Sequence, residues 1–236
     1  MKMGVAAIDL GEKNIITLTF DTNTRPIMYT CPVMKQLNHK YSKQVVNIYE
    51  DMDYMRITNR KIEGIKNKQS RRTNHLFNQI IKELFHDLEY NNVHTLIIGK
   101  AHKPNKNKKD EQTHFNDTYV NFKIPFNQLV GLIKKRAIKK GVEVIIVDEQ
   151  YTSRASSMDL DDIELEGIEE RIFNGKRVNR DTYITRRGLE IASDVNASYN
   201  ILRRSGESQV IEELLTHYQN IKQAPVPYIK TITERR

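Results

Sequence analysis

GVAAIDLGEKN, residues 4–14, holds the feature around which the rest of the chain falls into order. The apolar run from Val5 to Leu10 has the length and bulk of a buried strand, and one carboxylate, Asp9, sits inside it. A charge in a buried strand costs several kcal/mol unless something pairs with it. Gly11, just beyond, lets the backbone turn tightly and leaves room beside the carboxylate. Two readings follow. Asp9 holds a cation, or it is hydrogen-bonded in the turn after the strand, where aspartate is common. The remaining ligands of a cation would have to come from elsewhere in the chain.

The bulk properties narrow the classes. At 236 residues the chain fits one large domain or two small ones. A formal charge of +8 and a pI near 9.4 favour a polyanionic partner, with nucleic acid the usual one. No apolar run approaches the roughly 20 residues of a membrane span, so no membrane partner is expected. MKMGVAAIDLG does not read as a signal peptide, because Asp9 interrupts its apolar run. The single cysteine, Cys31, excludes an internal disulfide framework and zinc sites of the paired CxxC kind. A cytoplasmic location is the expectation.

Residues 4–10 and 14–20 read as two strands joined by GEKN, with a weaker third near 26–30. Strand, tight turn, strand, third strand is how a ribonuclease H-like sheet begins. Residues 41 to about 67 read as a basic helix with a narrow apolar stripe (Val45, Ile48, Tyr49, Met52) and Arg56 and Arg60 in its later half. A second helix, Leu76 to Leu88, has a continuous apolar face, and Arg71 and Arg72 stand at its start. The strand at 93–98 ends in Gly99 and Lys100. A polar, basic segment without periodicity follows at 101–117, carrying Lys103, Lys106 and Lys108, and reads as a surface loop. Pro125 marks the first turn of the next helix and Gly141 its end, and 142–147 is a further buried strand, completing a parallel crossover unit. Residues 150 to about 185 look irregular. A short amphipathic helix covers 192–204, another runs from about 207 to 218, and the tail from Gln223, with Pro225 and Pro227, reads as loose.

Two-metal phosphodiester cleavage needs three or four carboxylates converging within a few Å. In a ribonuclease H-like sheet the first strand is central, and acids at the C-terminal ends of the parallel strands beside it share one edge. Asp9 is on the first strand, and Asp194 begins a helix able to pack at that edge. The middle strand ends in Gly99, where the arrangement needs an acid. Glu149, one strand over, has the reach to fill that place. Asp148 competes with it, but the two point to opposite sides if the strand continues. A D-x-G-x-x-N turn (Asp9, Gly11, Asn14) also opens sugar kinases and actin-like ATPases. Those need glycine-rich phosphate turns later in the chain, whereas the glycines after Gly11 are isolated.

Taken together, IDLGEKN (8–14), LIIGK (96–100), IPFNQL (124–129), EQYTSRAS (149–156), GKRVNR (175–180) and SDVNASYNILRR (193–204) resemble the RuvC-type nuclease domain of TnpB, Fanzor and the type V CRISPR effectors. The resemblance implies an α/β, ribonuclease H-like (RuvC) mixed sheet flanked by helices, over residues 1–205. A helical insertion falls at 41–92 and a zinc-ribbon-like insertion at 150–187, and a C-terminal helix and tail follow at 206–236. It implies RNA-guided, two-metal DNA cleavage of a transposon-associated kind, with Asp9, Glu149 and Asp194 as catalytic metal ligands, Mg2+ or Mn2+ as cofactor, and guide RNA and DNA as partners. Two departures stand out. The family's usual glutamate after the middle strand is Gly99 here, so Glu149 is its relocated counterpart. Ser156 stands where the ribbon's first cysteine would be, so no zinc is expected. Nucleic acid is expected on Arg56, Arg60, Arg71, Arg72, Lys100, Lys103, Lys106, Lys108, Arg154, Lys176 and Arg177. The chain starts directly before the first nuclease motif, so the recognition segment of such proteins is expected as a missing N-terminal part or a separate subunit. The alternative is a relative or accessory subunit that binds guide RNA and DNA without cleaving.

Overall fold

The computed structural model describes residues 4–50, 55–100, 123–164, 172–204, 206 and 208–234. Strand β1 (Gly4–Asp9) lies inside a six-stranded mixed sheet, with β2 (Asn14–Phe20) antiparallel on one side and β4 (Val93–Lys100) parallel on the other. Beyond β4 runs β5 (Glu143–Asp148), also parallel. Beyond β2 come β3 (Ile27–Thr30) and then β9 (Tyr228–Thr231), giving the order β5-β4-β1-β2-β3-β9. The sheet is the mixed α/β one that the strand order of the sequence implies.

Alternation along the strands assigns the two faces. Ala6 and Ile8 of β1 and Leu96 and Ile98 of β4 pack into one core with α1 (Pro32–Glu50), α2 (Met55–Tyr90) and α3 (Phe126–Lys140). Val5, Ala7 and Ile97 pack into a second core with α4 (Ser193–Arg203) and α5 (Ser208–Asn220). Asp9, Gly99 and Glu149 have the parity of Ala7, Ile97 and Val147, so all three belong to the α4 side. Asp148 has the parity of Ile146, on the other.

Several boundaries differ from the sequence reading. The first helix begins at Pro32, not 41, because Met34, Leu37 and Tyr41 already carry its buried stripe. Helix α2 runs unbroken through 68–76 to Tyr90, joining the end of the expected first helix to the second. Of the described side chains in its polar first half and just beyond, Ile62, Gln69 and Thr73 are buried. Pro125 is the residue before α3 rather than in its first turn, whereas Gly141 ends the helix in the left-handed conformation as read. The strand at 143–148 is a half-buried edge, not a buried strand. The expected loose tail is corrected most. Residues 228–231 pair with β3, held by Lys230, whose ammonium donates to both oxygens of buried Asp87 at 2.7 Å, while the Tyr29 hydroxyl donates to the same carboxylate.

The segment after β5 is not wholly irregular. It carries a small antiparallel sheet of β6 (Lys176–Arg177), β7 (Thr182–Ile184) and β8 (Glu190–Ala192). Hydrogen bonds centred on two aspartates hold it. The Ser156 hydroxyl donates to Asp159 (2.6 Å) and its amide to Asp161 (2.7 Å); the Asn174 side chain donates to Asp161 (2.7 Å), and the Arg186 amide to Asp159 (2.8 Å).

Lys230→Ala leaves the Asp87 charge buried beside the Tyr29 hydroxyl, with the exposed His86 ring 3.6 Å away. Urea denaturation is expected to show a loss of roughly 2–4 kcal/mol. A loss under about 0.5 kcal/mol would mean the pair behaves as a solvated surface ion pair.

Candidate active site and nucleic-acid interface

The three carboxylates meet at the C-terminal edge of β1, β4 and β5. Asp9, Glu149 and Asp194 line one cavity of about 240 Å³, together with Lys13, Arg177 and Asp181. Each acid is placed by a different local cause. Asp9 ends β1 in register with Thr17, and the turn after it closes as the Gly11 amide donates to the Asn14 carbonyl at 3.1 Å. A Cβ at Gly11 would stand 2.9 Å from that carbonyl oxygen and 3.8 Å from Asp194 Oδ2, so glycine both allows the turn and leaves the acids room. Asp194 lies in the first turn of α4, and its Oδ2 accepts from the Asn14 side-chain amide at 2.8 Å. Asn14 is thus a further residue of the site, 9% exposed, and its place in the D-x-G-x-x-N turn is the sequence signal for it.

Glu149 follows β5 and extends its ladder by one bond, its amide donating to the Lys100 carbonyl at 3.3 Å. The end of β4 is bare of side chain at Gly99, where an added Cβ would stand 2.5 Å from Ile201 Cδ1 and 3.2 Å from Glu149 Oε2. Any side chain at 99 would collide with α4, and the Glu149 carboxylate comes to rest over that gap. Asp148 turns elsewhere, its Oδ1 accepting from the Gln150 amide at 2.7 Å.

The electrostatics follow from this crowding. Burial, the Asp194 carboxylate and the Glu149 carboxylate, in that order, push Asp9 up to about 8; the Leu10 amide and Arg177 pull it down without offsetting them. Burial and then Asp148 push Glu149 upward. The acids are nonetheless not drawn in to chelation, since among the described residues no group of three His, Cys, Asp or Glu side chains closes to metal-ligand separation.

Around the acids the charge reverses. Lys13 pairs with Asp181 at 2.5 Å and Arg180 with Glu12 at 3.7 Å, joining the β1–β2 turn to the small sheet across the mouth of the cavity. Arg154, Lys176 and Arg177 line an adjoining cleft of about 400 Å³, where the Arg154 guanidinium stands 5.3 Å from the Phe173 ring centroid. Lys100 is exposed at the end of β4. Arg60 and Arg71 are exposed on α2, which packs on the opposite face of the sheet from the acids. Arg72, on the same helix, spends its guanidinium on Glu234, donating to both carboxylate oxygens. The Arg56 side chain and Lys103, Lys106 and Lys108 lie outside the described residues.

Residues 126–201, from α3 to α4, match the family described as Cas12f1-like, TNB domain. No curated protein matches the sequence. Among solved structures, a cryo-EM structure of a Cas12f1–sgRNA–target DNA complex is similar at 16% identity, over 84% of this chain and 49% of that one, with a TM-score of 0.52. A cryo-EM structure of a CRISPR-Cas12f ternary complex is similar at 16% identity, over 84% and 38%, with a TM-score of 0.58. This chain spans less than half the length of either. The likeness shows the fold, a ribonuclease H-like one, and the family match covers the stretch from α3 to α4. No helix among the described residues is long and apolar enough to cross a membrane.

The raised Asp9 makes stability depend on pH with a definite sign. Its value of about 8 in the folded chain lies above the ordinary 3.8, so between these the folded state keeps a proton that the unfolded state has given up. Its contribution to stability is present below about pH 4 and is lost as pH rises through about 8. Thermal melts in chelator are therefore expected to show Asp9→Asn more stable than the wild type at pH 9, with the gap shrinking toward pH 5. A constant gap would mean that Asp9 titrates normally.

Proposed function

We propose that this chain is the RuvC-like catalytic part of a transposon-associated, RNA-guided DNA endonuclease that hydrolyses phosphodiesters with divalent metal. The carrying observation is the convergence of Asp9, Glu149 and Asp194 on one cavity, with Glu149 lying over the gap at Gly99. The donor set fits Mg2+ or Mn2+: among the described residues the acidic donors lining the cavity are carboxylates, with no thiolate or imidazole beside them. Burial and then the neighbouring carboxylates raise Asp9, and a bound cation offsets both. Metal held by Asp9, Glu149 and Asp194 would supply Lewis-acid polarisation of the phosphate and a more acidic water. Zinc has no part in the proposal. Ser156, in the place of the ribbon's first cysteine, donates to two aspartates.

The chain's own residues do the rest. Asn14 fixes the rotamer of Asp194 by holding one of its oxygens. Arg177, beside Asp9, offers a fixed positive charge at the point where a phosphate's non-bridging oxygens would approach the acids. Its orientation is set by its own loop, since its guanidinium donates to the carbonyls of Asn179 and Arg180. Arg154 and Lys176 extend the positive path away from the acids, with Phe173 giving an aromatic face for an unpaired base. Guide RNA and DNA are the partners proposed, with the recognition segment of such proteins supplied by a further part of the chain or a separate subunit. A second reading rests on the acids standing short of ligand separation among the described residues: a relative that binds nucleic acid and no longer cleaves.

The test is cleavage of a DNA oligonucleotide in Mg2+ by protein purified from cells carrying its own locus. Glu149→Gln is expected to lower kcat by several orders of magnitude with binding nearly intact, and Asp148→Asn to change it less than about tenfold. The reverse result would make Asp148 the third acid. A wild type that binds and never cleaves would favour the second reading.

Salt dependence tests the cleft. Lys176→Ala with Arg154→Ala is expected to flatten the slope of log affinity against log salt by about 0.7 for each phosphate of a single strand that is no longer neutralised. An unchanged slope would make that surface merely solvated.

A further inference from the structure

Glu149 differs from the other two acids in how it is held. Asp9 is the last residue of a central strand and Asp194 belongs to a helix, whereas Glu149 lies one residue beyond the end of an edge strand. Its own backbone bonds are a 3.3 Å one from its amide to Lys100 and those its carbonyl accepts from the amide and hydroxyl of Thr152, three residues on in the same loop, at 3.1 and 2.7 Å. A glutamate side chain turns about three bonds, so a loose backbone there would scatter the carboxylate over several Å.

We propose that Arg204 is the positioning residue for Glu149, its guanidinium pinning the two carbonyls that flank the acid and so keeping the carboxylate over the gap at Gly99. Nη1 donates to the Asp148 carbonyl and Nη2 to the Gln150 carbonyl, both at 2.7 Å. Nη2 also donates to the Ile163 carbonyl, so one group closes the loop from 148 to 163. Arg204 caps the C-terminus of α4, its amide donating to the Ile201 and Leu202 carbonyls, where a cation suits the helix dipole, while its guanidinium donates across to that loop. The adjacent Arg203 acts elsewhere, donating to the Asp161 carbonyl and to Asn200 Oδ1. Two carbonyls at one spacing suit a planar fork of donors, which a lysine lacks. A single helix thus carries one acid, Asp194, near its start and the clamp on another, Glu149, at its end.

The role rests on the nuclease reading only in what the placed carboxylate is for, so the test has two arms. In the first, hydrogen–deuterium exchange of the metal-free chain compares wild type, Arg204→Lys and Arg204→Gln. The amides of Glu149 and Thr152 are expected to exchange about tenfold faster in Arg204→Gln and by an intermediate factor in Arg204→Lys. The amides of β1 and of Val195–Leu202 should stay as they are. Unchanged exchange at Glu149 and Thr152 overturns the clamp. So does a uniform rise across α4 and β1, which would be ordinary destabilisation. If Arg204→Gln does not fold, Arg204→Lys decides alone, since lysine keeps the charge but holds one carbonyl at a time. In the second arm, cleavage of a single-stranded DNA oligonucleotide in Mg2+ should lose about 10- to 100-fold in kcat with KM unchanged. Adding Arg204→Lys to Glu149→Gln should cost nothing further, and a multiplied loss overturns the role. A wild type without cleavage overturns the nuclease reading, and exchange then judges the clamp by itself.

Discussion

The carboxylates of Asp9, Glu149 and Asp194 repel one another, and the surrounding chain is arranged to hold them in one cavity against that repulsion. Strand parity turns Asp9 and Glu149 to the α4 side, and Asn14 grips Asp194 from the same turn that follows Asp9. Helix α4 then locks against both. Ser198, fully buried, donates to the Ala7 or Thr17 carbonyl, tying α4 to β1 and β2. Asn196 and Asn200, also fully buried, donate to the carbonyls of Thr152 and Ala155 and so tie α4 to the loop after Glu149. A buried amide left unpaired would cost about 1–3 kcal/mol, so each of these side chains makes the loop's native path the favoured one. An apolar helix could cover the sheet as well, but it could not specify where the loop lies.

This explains which parts were legible in the sequence. The strands were, because 5–8 and 96–98 are apolar runs that a sheet covered on both faces can bury. Gly99 was legible as a vacancy, and period-two alternation puts Glu149 and Asp148 on opposite sides, with Glu149 lining the cavity. The tail was not. Residues 228–231 form only four residues of edge strand behind two prolines, and their partner, β3, lies some 200 residues earlier. Arg72 reads as a free cation because Glu234, its partner, is 162 residues away. Asn196, Ser198 and Asn200 carry local signal, being polar residues on both sides of an otherwise apolar helix, yet the carbonyls they bind are set by tertiary structure alone.

The segment beyond β5 is tied together by hydrogen bonds to two carboxylates. A small sheet of two- and three-residue strands has too little core to stand alone, and many such modules close on a metal. Here Asp159 and Asp161 act as acceptors for donors from several places in the segment: Ser156, Asn174 and Arg186. Tyr183, fully buried, passes under Gly175, where any Cβ would meet its ring at 2.5 Å, and its hydroxyl donates to the Arg154 carbonyl. Net hydrogen bonds contribute about 1 kcal/mol each, with more for those to a carboxylate, so the segment is held by many modest ties and not one strong one. The loss of any single tie is correspondingly survivable.

A cavity floored with carboxylates is a poor place to bring a phosphodiester, and the rim answers that difficulty. Lys13 and Arg180 are exposed and already paired with Asp181 and Glu12. Exposed pairs of this kind contribute about 0–1 kcal/mol, so trading a protein carboxylate for a phosphate oxygen costs little. Arg177 differs from them. Its guanidinium is oriented by the neutral carbonyls of Asn179 and Arg180, and its charge reaches Asp9 through space. A fixed charge needs no reorganisation when a second anion arrives, which is the condition for stabilising charge as it develops. On the nuclease reading, the positive rim brings the backbone in, the raised Asp9 favours a cation at the floor, and Arg177 stands between the two.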